Sequence, residues 1–125
     1  MASVKAIIGK HHYQTVVNAA DNNSLLADEP VEKGGLGTGM NPSELLLASL
    51  SSCIAITARM YADRKAWALE SVEVEAEYSN ETFHIVKKFN GNLSSEQIQR
   101  LQEISDRCPI HKILTKENII HSEVI

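Results

Sequence analysis

The strongest structural signal in the chain lies in residues 41–65, which read NPSELLLASLSSCIAITARMYADRK. Asn41 is a good helix N-cap, and Pro42 suits the first helical position because its missing N–H costs nothing there. Glu44 stands where a capping box places its acidic residue. The apolar residues that follow cover nearly the whole circumference of a helix that ends near Lys65. Because a helix that is apolar on all sides is a buried one, this segment predicts a long central helix.

Antiparallel β-structure is predicted on both sides of this helix. Three short segments before it indicate a β-meander, and two longer segments after it indicate a hairpin. The five segments are Val4–Ile8, Tyr13–Ala19, Leu25–Ala27, Leu69–Tyr78 and Thr82–Phe89. Strands that occur in blocks, instead of alternating with helices, indicate an α+β fold.

The last third of the chain predicts two further helices and a closing strand. Ser94 or Ser95 caps a helix with apolar residues at helical spacing. A short helix then starts at Cys108-Pro109 and runs to about Leu114, and Ile119–Val124 is predicted as a strand.

The composition is that of an ordinary soluble globular protein, with 125 residues, 43% hydrophobic residues and a formal net charge of −4. This length suits a single domain, residues 1–125. Such a chain has little material with which to wrap a helix that is apolar on all sides. We therefore expect an intertwined homodimer in which two central helices pack against each other between sheets. The acidic balance and the lack of a Lys/Arg block argue against nucleic-acid binding.

Cysteine usage and hydropathy predict a cytoplasmic location. Two cysteines are too few for a disulfide-stapled domain, and the first residues lack the apolar stretch of a secretory signal. The longest charge-free apolar run, Leu45–Ala58, falls short of the ~20 residues of a membrane-spanning helix, so no membrane crossing is expected. Neither metal-ligand spacing nor a nucleotide-binding motif is present, so no metal and no cofactor is implied.

Cys53 and Cys108 are the candidate chemical groups, and each also has an ordinary structural explanation. Cys53 lies in the middle of the predicted buried helix, where a free cysteine serves as a small core hydrophobe. Cys108 is the predicted N-cap of the helix that Pro109 begins, where unpaired amides and the neighbouring Arg107 and His111 favour a thiolate. Local electrostatics alone therefore indicate that Cys108 is the better thiolate, although a partly buried cap explains it as well.

Residues Gly39–Cys53 resemble the central-helix signature of the OsmC/Ohr family of osmotically induced and organic-hydroperoxide-resistance proteins. Arg107–His111 is similar to that family's second cysteine motif, and Asp28–Val31 and Met60–Lys65 resemble its broader OsmC-like branch. The resemblance covers most of the chain. It implies antiparallel sheets around a long buried central helix, an intertwined homodimer, and thiol peroxidase chemistry at the subunit interface.

The resemblance also implies a role for each cysteine. Cys53 would attack an organic hydroperoxide and become a sulfenic acid, and Cys108 would condense with it to a disulfide that an external dithiol reduces. These roles reverse the ranking that local electrostatics indicate. An apolar pocket built from Leu46, Leu50 and Ile54 would favour a bulky organic peroxide.

The chain departs from the family pattern in the groups that activate the first cysteine. Family peroxidases use an arginine from the N-terminal sheet and a glutamate just after Asn-Pro, whereas here no arginine precedes Arg59 and Glu44 stands one residue later. Glu44 and Cys53 are roughly 180° apart around the helix and about 13 Å apart along it, so contact between them requires the partner chain's copy. The candidate replacements for the arginine are Lys10, His11, Arg107 and His111.

Two other functions stay open at this point. The missing arginine motivates a non-catalytic dimer whose interface pocket binds a small apolar ligand. The predicted electrostatics of Cys108 motivate a redox-sensing or thiol-exchange protein in which Cys108 alone is reactive.

Overall fold

A computed structural model describes residues 2–125 and contains both helices and strands. The strands are β1 (Val4–Ile8), β2 (Thr15–Ala19), β3 (Ser24–Ala27), β4 (Leu69–Ser79) and β5 (Thr82–Gly91). The helices are α1 (Pro42–Arg64), α2 (Ser95–Ser105) and α3 (Pro109–Leu114), with one 3-10 turn at Val31–Lys33. The predicted α+β class and the predicted order of elements up to Leu114 are confirmed.

The chain divides into two compact units, the first ending at Leu46 and the second beginning at Leu47. α1 starts in the first unit and continues in the second, and the prediction of a single domain stays a prediction. In the first unit the strands form an antiparallel sheet in the order β1-β2-β3. The β1–β2 register places Val4 opposite Ala19.

A buried carboxylate organises the glycine-rich segment of the first unit. Asp28 is 2% exposed, and its Oδ2 accepts hydrogen bonds from the hydroxyl of Thr38 at 2.6 Å and from the amide of Thr38 at 3.1 Å. Its Oδ1 accepts from the amides of Glu29 at 2.8 Å and Tyr13 at 3.0 Å. A Cβ at Gly35 would overlap the carbonyl oxygen of Glu29, so this close approach requires glycine. The loop that precedes α1 is thus held in place by Asp28, which sequence analysis did not single out.

In the second unit, one side of α1 packs against the β4–β5 hairpin, α2 and α3. The buried residues of α1 recur at every fourth position, and they are Leu50, Ile54, Ala58 and Ala62. Ala58 and Ala62 pack with Leu69 and Leu101, whereas Leu50 and Ile54 pack with Cys108. The hairpin turns at Asn80 and Glu81, where φ is +50° and +60°.

The single chain leaves part of α1 uncovered, as expected of a helix that a chain of this length cannot wrap alone. Ile56 is 53% exposed and Met60 is 60% exposed, and both lie on a side of α1 that the hairpin does not cover. One hairpin and two short helices supply enough apolar surface for one face of a helix of 23 residues, not for its circumference.

The predicted closing strand Ile119–Val124 is also wrong, since these residues adopt no regular secondary structure. Ile119 is 84% exposed and Val124 is 99% exposed. A strand needs a neighbouring backbone that pairs with its N–H and C=O groups, and apolar β-branched residues alone do not provide one.

α1 is long and apolar enough to cross a membrane, with a mean hydropathy of 1.5 over its best window. The charge-free run Leu45–Ala58 is too short to span a membrane because Arg59 ends it. The helix is long enough once up to two charged residues are allowed within the apolar stretch. Core helices of soluble proteins meet the same criterion, so the absence of a membrane span stays a prediction.

Candidate active site

Cys108 is the N-cap of α3, as the sequence predicts. Its Sγ accepts a hydrogen bond from the amide of His111 at 3.2 Å, and Pro109 occupies the first helical position. The side chain is fully buried at 0% exposure and packs against Leu50 and Ile54 of α1. The capping role of Cys108 is therefore confirmed.

Burial raises the pKa of the Cys108 thiol above its ordinary value. The hydrogen bond from the His111 amide acts in the opposite direction but is the smaller effect. The expectation that local electrostatics favour a Cys108 thiolate is therefore wrong, because desolvation of the thiolate outweighs stabilisation by the helix N-terminus.

Cys53 lies half-buried on α1 and packs against the cluster that contains Cys108. Both cysteines are free thiols. A hydrogen bond to Cys53 and the charge of Cys53 both raise the pKa of Cys108 further. Both effects act in the same direction as desolvation, so Cys108 keeps its proton to a higher pH than an exposed thiol does.

The second unit contains a cavity of about 300 Å³ whose lining includes neither cysteine. Its apolar wall consists of Leu50, Ile54, Phe83, Ile85 and Leu114, and its polar rim consists of Glu81, Thr82, Asp106, His111 and Thr115. Leu50 and Ile54 line this cavity and Leu46 does not. Because Leu50 and Ile54 are buried within the single chain, the predicted pocket at the subunit interface stays a prediction. Because Leu50 and Ile54 also contact Cys108, the cavity wall and the thiol pair share residues.

Glu44 forms the predicted capping box at the start of α1. Its Oε1 accepts a hydrogen bond from the amide of Asn41 at 3.0 Å, and Oδ1 of Asn41 accepts from the amide of Glu44 at 2.8 Å. The side chain is exposed. Its structural role is confirmed, and its catalytic role stays a prediction.

The charged side chains that donate hydrogen bonds in this structure donate them to groups other than Cys53. Arg59 binds Asp63 at 3.0 Å and the carbonyl oxygen of Leu69. Arg100 binds the Tyr61 hydroxyl at 3.1 Å. Of the candidate replacements for the missing arginine, Arg107 is exposed and His111 lines the cavity rim.

A sequence profile of OsmC-like proteins matches residues 35–123, a span that includes both cysteines. The chain belongs to the OsmC family. Its fold is shared by a candidate osmotic-stress-induced and detoxification-response protein from Psychrobacter arcticus, with a TM-score of 0.76 and 23% identity over 90% of this chain and 88% of that one. No curated protein has a significantly similar sequence.

Two solved structures of organic hydroperoxide resistance proteins share the OsmC fold as well. The protein from Legionella pneumophila has a TM-score of 0.60 and 24% identity over 92% of this chain and 89% of that one. The protein from Bacillus subtilis has a TM-score of 0.55 and 20% identity over 92% of this chain and 90% of that one. At these identities the likeness shows the fold.

In this OsmC protein the strand pattern predicts that Lys87 pairs across the hairpin with the glutamates of β4. This prediction is wrong, because the register places Lys87 opposite Val74 and Lys87 binds the end of α2 instead. Its Nζ donates hydrogen bonds to Oδ1 of Asp106 at 2.6 Å, to Oγ of Ser105 at 2.9 Å and to the carbonyl oxygen of Gln102 at 3.3 Å. Only 5% of its side chain is exposed. The signal was present in the alternation of β5, where Lys87 occupies an inward position between Ile85 and Phe89.

The OsmC chain contains no cluster of three His, Cys, Asp or Glu side chains that could hold a metal ion among residues 2–125.

Proposed function

We propose that this OsmC protein is a homodimeric thiol peroxidase that reduces organic hydroperoxides with Cys53 and Cys108. The observation that carries the proposal is the contact between two reduced thiols of unequal burial. Cys53 is partly accessible to a substrate, whereas Cys108 is fully buried and retains its proton. The adjacent cavity of about 300 Å³ has an apolar wall suited to an organic peroxide.

In the first step, the Cys53 thiolate attacks the terminal oxygen of the hydroperoxide. The S–O bond forms as the O–O bond breaks, and the departing alkoxide takes a proton to become an alcohol. Cys53 is then a neutral sulfenic acid. The negative charge that raised the pKa of Cys108 is thereby removed, so the second thiol becomes easier to ionise once its partner is oxidised.

In the second step, the Cys108 sulfur attacks the sulfenic sulfur of Cys53. An S–S bond forms and the sulfenic hydroxyl leaves as water, which balances the proton lost by Cys108. An external dithiol then reduces the disulfide through a mixed-disulfide intermediate and is itself oxidised. We place this chemistry in the cytoplasm, where thiols are kept reduced.

The homodimer part of the proposal is supported by the uncovered face of α1. Ser49, Cys53, Ile56 and Met60 recur at helical spacing on this face, and Ile56 and Met60 are more than half exposed. A second copy would remove this apolar surface from water. It would also bring groups of the partner toward Cys53, which lies on the same face.

The test is peptide-mapped mass spectrometry under equimolar cumene hydroperoxide with wild type, Cys53→Ser and Cys108→Ser. We expect a Cys53–Cys108 disulfide in wild type, a trapped sulfenic acid at Cys53 in Cys108→Ser, and reduced thiols in Cys53→Ser. Wild-type protein that keeps both thiols reduced after oxidant treatment would refute the proposal.

The cavity also favours a second candidate function, a non-catalytic dimer that binds a small apolar ligand. In that case Cys53→Ser would bind the ligand with unchanged affinity, and no peroxide turnover would be found in wild type. The third reading, in which Cys108 alone reacts, is disfavoured by the complete burial and the raised pKa of Cys108. Alkylation at neutral pH that labels Cys108 and spares Cys53 would restore it.

A further inference from the structure

We propose that Lys87 positions the resolving cysteine by clamping the end of α2 to β5. This inference rests on the proposed two-thiol function and adds a residue to it. Lys87 touches neither thiol in its hydrogen bonds, so it is a positioning residue and not a catalytic one.

The ammonium group of Lys87 is buried and fully hydrogen-bonded, which indicates a structural role. The side chain is 5% exposed, whereas that of its ion-pair partner Asp106 is 46% exposed. An ammonium group withdrawn from water is costly unless its donors are satisfied. All three N–H donors of Lys87 have an acceptor, and all three acceptors lie within the segment 102–106.

Two of these acceptors belong to the last turn of α2. The carbonyl of Gln102 is one of the four carbonyls that a helix C-terminus leaves without an intrahelical partner. Ser105 is fully buried, and its hydroxyl donates to the same carbonyl at 3.2 Å while it accepts from Lys87. A cation at this position is also favoured by the helix dipole. Lys87 therefore caps α2 from another element of the fold.

The third acceptor connects this cap to the thiol chemistry. Asp106 is the C-cap of α2, and only Arg107 separates it from Cys108. The buried cluster that contains Cys108 in turn packs against Phe83 and Ile85 of the strand that carries Lys87. Lys87 thus holds the connection between α2 and α3 against β5. This contact fixes how far Cys108 lies from α1, and therefore from Cys53.

This arrangement predicts a separation of the two chemical steps. Disulfide formation demands a narrow range of distances and dihedral angles between the two cysteines. Attack on the peroxide requires only Cys53, which α1 carries and which Lys87 does not contact. Loss of the Lys87 clamp should therefore slow resolution and leave the first oxidation nearly unchanged.

The experiment compares wild type with Lys87→Met, which keeps the length of the side chain and removes its charge and its donors. Lys88→Met is the matched control, since Lys88 is the exposed neighbour on the outward face of β5. Sulfenic acid formation is measured with a sulfenate-trapping reagent, and disulfide formation is followed separately by quenched-flow mass analysis. In Lys87→Met we expect the first rate within about twofold of wild type and the second slowed by at least about tenfold, with sulfinic acid accumulating at Cys53.

A second, milder variant tests the inference if Lys87→Met fails to fold. Ser105→Ala removes one acceptor of the Lys87 ammonium and keeps the ion pair with Asp106, and we expect a smaller slowing of the same step. Lys87→Arg, which keeps the charge and the donors, should recover part of the resolution rate. Equal slowing of both steps in Lys87→Met and Ser105→Ala, or a resolution rate equal to that of Lys88→Met, would overturn the inference.

A peroxide-free measurement separates this inference from the proposed function. In glutathione redox buffers the Cys53–Cys108 disulfide should require an oxidised-to-reduced glutathione ratio about tenfold higher in Lys87→Met than in wild type. A wild-type disulfide that forms in glutathione buffers but not with cumene hydroperoxide would refute the peroxidase and leave the role of Lys87 intact. If wild type forms no such disulfide by either route, Lys87 does not position a resolving cysteine.

Discussion

At the residue scale, the different burial of the two thiols supports the two different roles proposed for them. Cys108 is fully buried, and its pKa is raised first by desolvation and then by Cys53. Cys53 is only half-buried, which leaves it accessible to a substrate. Oxidation of Cys53 removes the charge that opposes ionisation of Cys108, and this orders the two proposed steps without a further group.

Asp28 provides a pH-dependent contribution at the same scale. The Thr38 hydroxyl lowers the pKa of Asp28 far below its ordinary value, with further help from backbone amides, although burial opposes them. Because the folded-state pKa is the lower one, this contribution to stability is fully present above about pH 5 and is lost progressively as the pH falls below about 4.

Asp28→Asn should therefore unfold at a lower temperature than wild type at pH 7. Its stability should also fall less steeply than that of wild type between pH 5 and pH 3, because the variant has no Asp28 proton to bind. Thermal unfolding followed by circular dichroism over this range measures both effects. Asp21→Asn is the control, since Asp21 is exposed and accepts only a local hydrogen bond from Asn23. Parallel acid curves for wild type and Asp28→Asn would contradict the prediction.

At the scale of the element, the start of α1 has a sufficient structural explanation in the capping box of Asn41 and Glu44. Glu44 is also the candidate for the catalytic glutamate of family peroxidases, although it stands one residue later than that glutamate. The two roles differ in what they require, because capping needs a hydrogen-bond acceptor whereas stabilisation of a distant cation needs a negative charge.

Glu44→Gln and Glu44→Ala separate these roles. Glu44→Ala should destabilise the protein by about 0.5–1 kcal/mol in urea unfolding, and Glu44→Gln should restore most of that loss because its amide oxygen still accepts from Asn41. If Glu44 also acts in catalysis, both variants should slow sulfenic acid formation at Cys53. Ser43→Ala, a change at the neighbouring exposed position, is the control. Equal destabilisation by the two variants would show that the capping bond is not what Glu44 contributes.

At the scale of the whole molecule, α1 has more apolar surface than a single chain covers. The second unit buries Leu50, Ile54, Ala58 and Ala62, and it leaves Ile56 and Met60 exposed. The segment Ile119–Val124 has strand-forming residues and no strand to pair with. Both features are expected of a protomer whose remaining partners belong to a second copy.

Ile56→Glu should therefore shift the protein from dimer to monomer in sedimentation velocity, because it places a charge in the apolar face that the second copy covers. Val86→Glu is the control, since Val86 is 64% exposed on the face of β5 that points away from α1. Its sedimentation should match that of wild type. A monomeric wild-type protein, or an Ile56→Glu variant that stays dimeric, would contradict the prediction.

The order of elements could be read from the sequence because its signals are local. A helix start is encoded by neighbours three residues apart, as at Asn41 and Glu44, and a strand by alternation along a few residues, as in β4. The capping position of Cys108 follows from Pro109 next to it in the same way. These features depend on backbone groups close along the chain, so the rest of the fold hardly affects them.

The properties that matter most for chemistry depend instead on residues that are distant in sequence. The pKa of Cys108 is raised because α1 buries it, which reverses the conclusion drawn from its neighbours along the chain. Lys87 meets Asp106 only when β5 packs against the end of α2, and Ile119–Val124 is not paired with any strand although its residues favour one. Desolvation, ion pairing and strand pairing are properties of what surrounds a group, and only the tertiary structure specifies those surroundings.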